Sequence, residues 1–428
     1  MKEPIFRFKG YTDDWEQRKL FDCLNSITDF RGRTPKKLCM DWSEDGYLAL
    51  SALNVKDGYI DFTQDVHYGD QELYNKWMTG KELHKGQVLF TTEAPMGNVA
   101  QVPDERKYIL SQRTIAFEVK DDIITEPFLA MILRSPNVVD DLNALASGGT
   151  AKGVSQKSLE KVSFLMPGNI KEQTKIAHTL SNIDNLIALH QRKCEALAEL
   201  KKGMLQKMFP KNGKKVPEFR FKGFTGDWEQ RKLSDIVDVM DGDRGKNYPT
   251  EADFSEQGHT LFLNASNVTN QGFVFNDTQF ITEDKSNSMG NGKLQLDDIV
   301  LTSRGSLGHI AWYNAAVMNQ VPYARINSGM LILRKKSDVN TSYVHQYMKS
   351  AKGQGQISFM SFGSAQPQLT KKGVEGLKVQ FPNDLAEQEK LGDYFATLDS
   401  LIALHQRKCD SLKELKKGML QKMFPSNE

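Results

Sequence analysis

The 428-residue sequence has few of the residues that build a metal or disulfide site. Its four cysteines are Cys23, Cys39, Cys194 and Cys409, and no two of them form a Cys-x-x-Cys pair. Zinc ribbons and disulfide frameworks need closely spaced, paired cysteines, so we expect neither, and a reducing cytoplasm fits this composition. No run of about 18 apolar residues occurs, and the start MKEP is not followed by the apolar stretch of a signal peptide. We therefore expect a soluble cytoplasmic protein.

Signatures of nucleotide-driven and methyl-transfer chemistry are also missing from the sequence. There is no Gly-x-x-x-x-Gly-Lys-Ser/Thr phosphate loop, no Gly-x-Gly-x-x-Gly turn after a strand, and no Asn-Pro-Pro-aromatic stretch. His190 and His405 occupy equivalent places in two helical patterns, which favours core packing or helix register over catalysis. We expect a chain with no catalytic residue, metal or cofactor of its own.

Charge of either sign is not in excess. The sequence has 56 Lys and Arg against 54 Asp and Glu, a formal net charge of +2. A nucleic-acid surface on this protein would therefore have to be a local patch. With 39% hydrophobic and 26% charged residues, the composition is that of a globular protein long enough for two or three cores.

The dominant feature of the sequence is an internal duplication. Residues 14–20, DWEQRKL, recur as 227–233, an offset of 213. Residues 186–194, LIALHQRKC, recur as 401–409, an offset of 215, and 200–210 recur as 415–425. Between these frames the interiors, roughly 21–165 and 234–380, differ almost everywhere. The period is far too long for a solenoid, so we predict two equivalent domains in tandem that contact two different targets.

The end of each half carries a helical pattern. Apolar residues recur at alternating four- and three-residue steps, interrupted by His190 and Lys201 in the first copy: Ile176, Leu180, Ile183, Ile187, Cys194, Leu197 and Met204. The second copy repeats the seam with Leu391, Phe395, Leu398, Ile402, Cys409, Leu412 and Met419. Such heptad spacing predicts two long helices that pair as a coiled coil. The alternative is that each helix covers only its own domain.

A second apolar stripe on these helices exceeds what a two-stranded seam needs. We predict that it docks other subunits, through Leu186, Leu189, Leu200 and Leu205 and their copies Leu401, Leu404, Leu415 and Leu420. The lysines of the helices favour a solvated face over a DNA contact. Both helices are predicted to end at a Phe-Pro pair, because proline cannot continue a helix.

The interiors carry strand patterns, short apolar and β-branched runs such as residues 88–91 and 299–302, bounded by turn residues. We therefore predict an α+β fold with pseudo-twofold symmetry. Two mostly-β domains span residues 1–167 and 213–382, and helical regions span 168–212 and 383–428. A polar linker, residues 211–217, separates the halves.

Four segments in the same order, present twice, resemble the specificity subunits of type I restriction-modification systems. In the second half they are the strand-turn element 297–308, the loop 363–370, the pair Glu387-Gln388 and the helix start 398–402. The first-half counterparts are residues 86–97, 148–155, 172–173 and 183–187. The resemblance extends over essentially the whole chain.

The resemblance implies a non-catalytic subunit of a methyltransferase and endonuclease complex. Its two target recognition domains would each bind one half of a bipartite double-stranded DNA site, at a spacing set by the helices. It also implies that two adenine-methyltransferase subunits dock on the helices and that ATP-dependent restriction subunits join for cleavage. Half-sites roughly 10 base pairs apart would suit two similar domains on one face of the duplex.

Base recognition needs side chains that match base edges, arginine or lysine for guanine and asparagine or glutamine for adenine. The predicted DNA contacts in the first half are Arg31, Arg33, Lys36, Lys152 and Gln156. Those in the second half are Arg244, Lys246, Arg304, Gln366 and Gln368. The alternative for each residue is a merely solvated basic or polar loop.

The two halves differ from each other at one strand-turn element. Residues 92–95 read Thr-Glu-Ala-Pro where 303–306 read Ser-Arg-Gly-Ser, so Glu93 stands in place of Arg304. We predict Arg304 as a phosphate or base contact and assign none to Glu93. Two rival functions stay open: a nuclease built on scattered acidic residues, which would cut DNA with magnesium alone, and a scaffold that binds proteins without sequence preference for DNA.

Overall fold

In a computed structural model of the protein, residues 4–147, 152–211, 213–336, 338–361 and 368–425 are described. The chain divides into two compact units. Unit 1 contains Met1–Gln191 and Arg407–Glu428, and unit 2 contains Arg192–Gln406. Each unit therefore holds one of the two divergent interiors together with parts of both repeated helical segments. The domain boundaries given above by sequence position stay predictions.

The interior of unit 1 is built mainly from short strands. A four-stranded antiparallel sheet has the spatial order Leu24–Asp29, Thr114–Val119, Val88–Thr91 and Val99–Gln101. A three-stranded sheet has the order Tyr68–Gly69, Tyr47–Leu50 and Ile109–Leu110, and two-stranded sheets pair Glu16–Lys19 with Ser163–Met166 and Val55–Lys56 with Tyr59–Ile60. The short helices are Leu20–Cys23, Pro35–Leu38, Gln71–Met78, Glu126–Ile132, Pro136–Leu145 and Gln156–Leu159.

Unit 2 repeats this arrangement of strands. Its four-stranded antiparallel sheet has the order Val237–Asp241, Met330–Lys335, Asp298–Thr302 and Ile310–Tyr313. The three-stranded sheet has the order Phe280–Ile281, Thr260–Leu263 and Ala324–Ile326, and two-stranded sheets pair Glu229–Lys232 with Lys378–Phe381 and Val268–Thr269 with Gly272–Phe273. The short helices are Leu233–Ile236, Glu251–Asp253, Ala265–Asn267, Glu283–Ser288, Ala315–Gln320, Thr341–Lys349, Ala351–Ser361 and Lys371–Glu375.

The two predicted long helices are present, as Ile170–Lys207 and Leu385–Met423. Within unit 2 they run antiparallel, since Lys201 pairs with Asp399 at 2.6 Å while the Cys194 thiol lies 3.3 Å from the Ile402 carbonyl oxygen. Within unit 1 the equivalent ion pair joins Lys416 to Asp184, also at 2.6 Å. The prediction that the helices pair is thus confirmed inside each unit, and each unit uses a half of both.

Seam residues at the start of each helix are buried. Ile176 and Leu180 lie in the core of unit 1, and Ile183 is also buried, at 8% exposure. In unit 2 the core contains Leu391, Phe395 and Leu398. The helix starts are fixed by a repeated polar contact as well. Arg7 pairs with the buried Glu172 at 2.8 Å in unit 1, and Arg220 pairs with Glu387 at 2.7 Å in unit 2. These contacts explain why the frame sequence is kept in both copies.

The Phe-Pro pair at the end of each long helix inserts its ring into a domain core. In unit 2, Phe209 is 3% exposed, stacks on Phe395 at 5.8 Å and meets Trp228 edge-on at 6.2 Å. In unit 1, Phe424 is 2% exposed and meets Trp15 edge-on at 6.3 Å. Each ring thus packs against the tryptophan of the repeated DWEQRKL segment. Neither interior has a complete core without the end of a long helix.

No helix in the described part of the chain is long and apolar enough to span a membrane.

We expect Phe209→Ala to destabilise unit 2 by about 3–5 kcal/mol, because the ring leaves a cavity at the centre of a packed aromatic cluster. Urea unfolding followed by tryptophan fluorescence measures this change. Leu200→Ala is the control on the same helix, since Leu200 is 42% exposed and a surface substitution changes stability by no more than about 0.5 kcal/mol. Equal effects of the two substitutions would contradict the packing described here.

Candidate nucleic-acid interface

The predicted DNA-contacting loops leave the four-stranded sheet of each unit at one end. In unit 1, Ile115 pairs with Asp29 and Thr114 pairs with Thr91, so two strands end where the third begins. In unit 2, the pairs Leu331–Asp241 and Met330–Thr302 place the strand ends in the same way. We call this end of each sheet, with its loops, the loop edge. Side chains far apart in sequence converge there.

Asp29 organises part of the loop edge of unit 1. Its carboxylate pairs with Arg31 at 2.6 Å and accepts a hydrogen bond from the Gln156 side-chain amide at 2.8 Å. Two predicted contacts, 125 residues apart in sequence, are therefore neighbours in the structure. Lys152 is exposed beside Gly153, which bridges to Glu93 and Ser147. The structure brings Arg31, Lys152 and Gln156 to one edge.

Arg33 and Lys36 have different surroundings. The Arg33 guanidinium lies 4.2 Å from the Phe30 ring centroid and donates a hydrogen bond to the Trp77 carbonyl oxygen. One N–H group of Arg33 is therefore engaged within the protein, and fewer of its N–H groups can donate to a base. Lys36 is exposed and lines a cleft of about 480 Å³.

The cleft beside Lys36 contains aromatic side chains that the sequence interpretation missed. Trp42 stacks on His67 with ring centroids 5.5 Å apart, and Trp77 lies 5.6 Å from Trp42. Gln112 lines the same cleft and donates a hydrogen bond to the Arg33 carbonyl oxygen at 2.6 Å. Stacked rings and amides beside a lysine can bind a base or a sugar face. Trp42 lies in an irregular segment, where no periodicity indicates its role.

Arg113 is a further residue that the sequence pattern did not single out. Its guanidinium pairs with Glu93 at 2.9 Å, and both side chains are about half exposed, at 53% and 43%. The backbone N–H of Thr92 donates to the Arg113 carbonyl oxygen at 2.8 Å, as the N–H of Ser303 donates to Gly329 in unit 2, also at 2.8 Å. The acid at Glu93 is therefore matched by an arginine from the turn that precedes the neighbouring strand Thr114–Val119. Both loop edges present an arginine, but from different positions.

In unit 2 the segment 327–329 holds two predicted contacts together. Arg304 is exposed, and its backbone N–H donates to the Gly329 carbonyl oxygen at 3.2 Å. The Arg244 side chain donates to the Ser328 carbonyl oxygen at 3.1 Å. Both guanidinium groups therefore belong to one edge, where they can contact phosphate or base edges.

Two of the remaining predicted contacts of unit 2, Gln368 and Lys246, lie in loops of the same edge, and the third, Gln366, has no described structure. Leu369 donates its backbone N–H to the Ser303 carbonyl oxygen at 3.0 Å, which places the exposed Gln368 next to the Arg304 loop. Lys246 is exposed in the loop that follows the strand Val237–Asp241. Gln366 lies outside the described residues.

The partly buried Asp243 carboxylate fixes the loop that carries Arg244 and Lys246. The backbone N–H groups of Gly245 and Gly290 each donate to Asp243 at 2.7 Å, and these hydrogen bonds lower the pKa of the Asp243 carboxyl. Gly242 has no room for a side chain, because a Cβ there would lie 2.2 Å from the Asn327 carbonyl oxygen. The loop is therefore held close to segment 327–329 by backbone contacts.

The predicted partner-docking stripe is largely accessible. Six of its leucines are between 37% and 52% exposed: Leu186, Leu189, Leu200, Leu401, Leu404 and Leu415. Leu205 and Leu420 are instead partly buried against the cores of units 2 and 1, so less of their surface is available to a partner. Within the described ranges, no group of three His, Cys, Asp or Glu side chains is placed to hold a metal ion.

Comparison with known proteins identifies the same duplication. The family model described as "Type I restriction modification DNA specificity domain" matches residues 12–199 and again 225–414. The MjaVIII type I restriction enzyme specificity subunit of Methanocaldococcus jannaschii is 25% identical over 419 residues, 95% of this chain and 91% of that protein. The putative MjaX specificity subunit of the same organism is 24% identical over 426 residues, 95% of this chain and 92% of that protein.

A solved structure shares the fold. The crystal structure of the S subunit of the type I restriction-modification system from M. genitalium aligns with a TM-score of 0.71 and 17% identity, covering 100% of both chains. At that identity the likeness concerns the fold alone.

The Asp243 contacts predict a pH dependence of loop stability. A carboxyl whose folded pKa is lowered stabilises the fold above its unfolded pKa of about 3.9 and loses that effect as the pH falls through the folded value. We expect Asp243→Ala to lower stability at pH 7 and to reduce the further loss of stability between pH 5 and pH 2. Thermal melts across this range measure both effects. Glu256→Ala, at an exposed loop position of unit 2, should change neither, and an unchanged pH profile in Asp243→Ala would contradict the assignment.

Proposed function

Because this chain belongs to the family of type I restriction-modification DNA specificity subunits, we propose that it reads a bipartite DNA sequence, with one half-site bound at the loop edge of each unit. The family is the DNA-recognising, non-catalytic component of its complexes, so the chain is a specificity subunit and not itself the enzyme. The observation that supports the bipartite reading is that the two units repeat one backbone arrangement while their loop side chains differ.

The chemistry of the loop edges fits this proposal. Arg31, Lys152 and Gln156 in unit 1 offer the donors that match guanine and adenine edges or phosphates. Arg244 and Arg304 do so in unit 2. We add Arg113 to the candidate contacts of unit 1, because it lies at the same loop edge, next to the paired strand ends Thr91 and Thr114. Two sets of unlike side chains on one scaffold would select two unlike half-sites.

We further propose that the apolar stripe on the long helices docks two adenine-methyltransferase subunits, which bring ATP-dependent restriction subunits into the complex. The stripe repeats identically, at Leu186 and Leu189 and again at Leu401 and Leu404. These four side chains are between 37% and 44% exposed. Repeated, identical apolar positions suit two copies of one partner, whereas the divergent interiors suit two different DNA targets.

Single substitutions at matched places should affect one half-site each. We expect Arg304→Ala to weaken binding to the preferred duplex roughly 5- to 150-fold and to relax base preference in one half-site only, in line with about 1–3 kcal/mol for a bidentate base contact. Arg113→Ala should relax the other half-site. Binding is measured against a randomised duplex library, with the modification subunit present.

Lys222→Ala is the control for these substitutions, because it removes an exposed positive charge of unit 2 away from the loop edge. It should leave base preference unchanged. If Arg304→Ala and Arg113→Ala relax the same half-site, or if neither changes sequence preference, the bipartite assignment is wrong. DNA cleavage by the purified chain with magnesium alone would favour the nuclease alternative.

The docking proposal predicts that one aspartate introduced into each copy of the apolar stripe prevents the methyltransferase subunits from binding. Leu186→Asp together with Leu401→Asp should abolish co-elution of the methyltransferase subunits, because desolvating a carboxylate in an apolar interface is costly. Sizing chromatography with light scattering reports the stoichiometry. Glu195→Lys, an exposed change on the first long helix, is the control. Retention of both partners by the double variant would contradict docking at this stripe.

A further inference from the structure

Each unit contains a cavity between its part of the long helices and the short hairpin of its interior. The cavity of unit 1 is about 450 Å³ and that of unit 2 about 490 Å³. The two are lined by equivalent residues of the duplicated sequence, namely Asp184, Ile187, Ala188, Gln191, Lys416 and Lys417 in unit 1 and Asp399, Ile402, Ala403, Gln406, Lys201 and Lys202 in unit 2. The cavity of unit 1 can therefore be compared residue by residue with the cavity of unit 2.

In the cavity of unit 1 the buried charges are balanced. Arg134 pairs with Asp184 at 2.9 Å and also with Asp57 on the hairpin turn. Lys416 pairs with Asp184 at 2.6 Å. The side chains of Arg134 and Lys416 are only 6% and 13% exposed. Two buried cations are thus met by two carboxylates.

In the cavity of unit 2 one of these carboxylates is replaced by an amide. Asn270 occupies the hairpin-turn position of Asp57, and Lys349 occupies the position of Arg134. Lys201 pairs with Asp399 at 2.6 Å, and Lys349 reaches the same carboxylate only at 4.0 Å. The side chains of Lys201 and Lys349 are 9% and 15% exposed. Two buried cations therefore share one carboxylate.

The shared carboxylate, Asp399, also accepts a hydrogen bond from a neutral side chain. The Gln346 side-chain amide donates to Asp399 at 2.8 Å. Burial lowers the pKa of Lys349 to about 8, opposed by Asp399 and reinforced by the neighbouring charge of Lys201. The nearby His345 stays neutral at pH 7, because burial lowers its pKa to about 3. A buried cation without a full counter-charge is unfavourable, so a bound anion would stabilise this cavity.

The rim of the cavity adds groups that suit an oxyanion. Lys202 is 68% exposed at the opening, where it lies 3.7 Å from the exposed Glu199 carboxylate, and the amides of Asn270 and Gln271 line the same cavity. Amide N–H groups and ammonium groups are the donors that phosphate-class anions accept from. Exposed lysines stand on the rim of both cavities, so the difference from unit 1 is the counter-charge of the buried cations: the exposed turn residue is Asp57 in unit 1 and Asn270 in unit 2.

We propose that the cavity of unit 2 is a binding site for a small phosphate-class oxyanion, held by Lys349 and Lys201 with Lys202 and the turn amides at the rim. The equivalent cavity of unit 1 does not need such a ligand, because Asp57 occupies the place of the anion. The ligand is either free phosphate or a phosphate group of bound nucleic acid. The site is separate from the loop edges and does not rest on the proposed function.

Isothermal titration of the full chain with inorganic phosphate, at constant ionic strength against chloride, tests the proposal. We expect saturable binding with one phosphate per chain and a higher melting temperature in phosphate. Asn270→Asp supplies the carboxylate found in unit 1 and should weaken phosphate binding at least roughly tenfold, as expected for a close like-charge contact. Asp57→Asn makes the reverse change in unit 1 and should create a second phosphate site.

Lys349→Met is the second variant, and it removes the buried cation that shares Asp399 with Lys201 without requiring a new ion pair. It should fold and lose the phosphate response. Competition by a duplex oligonucleotide would identify a DNA phosphate as the occupant, and phosphate binding unaffected by duplex would identify the free ion, so both results support the site. No phosphate binding by the folded chain, or equal binding by wild type, Asn270→Asp and Lys349→Met, would overturn the proposal.

Discussion

The structure depends on the packing of a helix-terminal aromatic ring into a core that another part of the chain builds. Phe209 closes the core of unit 2, and Phe424 closes the core of unit 1, each against the tryptophan of a repeated segment. A long helix that starts in the core of one unit thus ends in the core of the other. Buried aromatic contacts of this size contribute several kcal/mol each, so neither interior is expected to fold well without both helices. The near-identity of the frames follows from this shared packing.

Burial also explains which residues are identical in the two halves and which differ. Frame residues such as Glu172 and Glu387 are buried and paired with arginines of the N-terminal repeats, so a change there would leave a buried charge unpaired. Several loop-edge side chains, among them Lys152, Arg304 and Gln368, are instead exposed. Their backbone is fixed by strand-end hydrogen bonds, from Thr92 to Arg113 in unit 1 and from Ser303 to Gly329 in unit 2. The exposed side chains of the loop edge can therefore change with little cost to the fold.

Much of the architecture could be predicted from the sequence, because it depends on periodicity and on repetition. The heptad spacing predicted both long helices, and the Phe-Pro pairs predicted their ends to within two residues. The repetition of the sequence predicted two domains in tandem. The pairing of charges could not be predicted. That Arg113 lies beside Glu93, or that Arg33 donates to the Trp77 carbonyl oxygen, depends on which strands are neighbours and in what register. Sequence position alone does not contain that information.

The arginine exchange between the two loop edges illustrates how a duplicated scaffold can separate affinity from specificity. Unit 1 presents Arg113 from the start of one strand, and unit 2 presents Arg304 from the end of its neighbour. Both strand ends lie at the same edge, so each unit keeps a guanidinium near the place where DNA would approach. Under the proposed function an arginine at either position would attract the phosphate backbone, less strongly for Arg113 because Glu93 pairs with it, and the reach toward base edges would differ. Moving one arginine across a strand pair would thus keep a cation at this edge and alter the bases within its reach, without any change in the sheet.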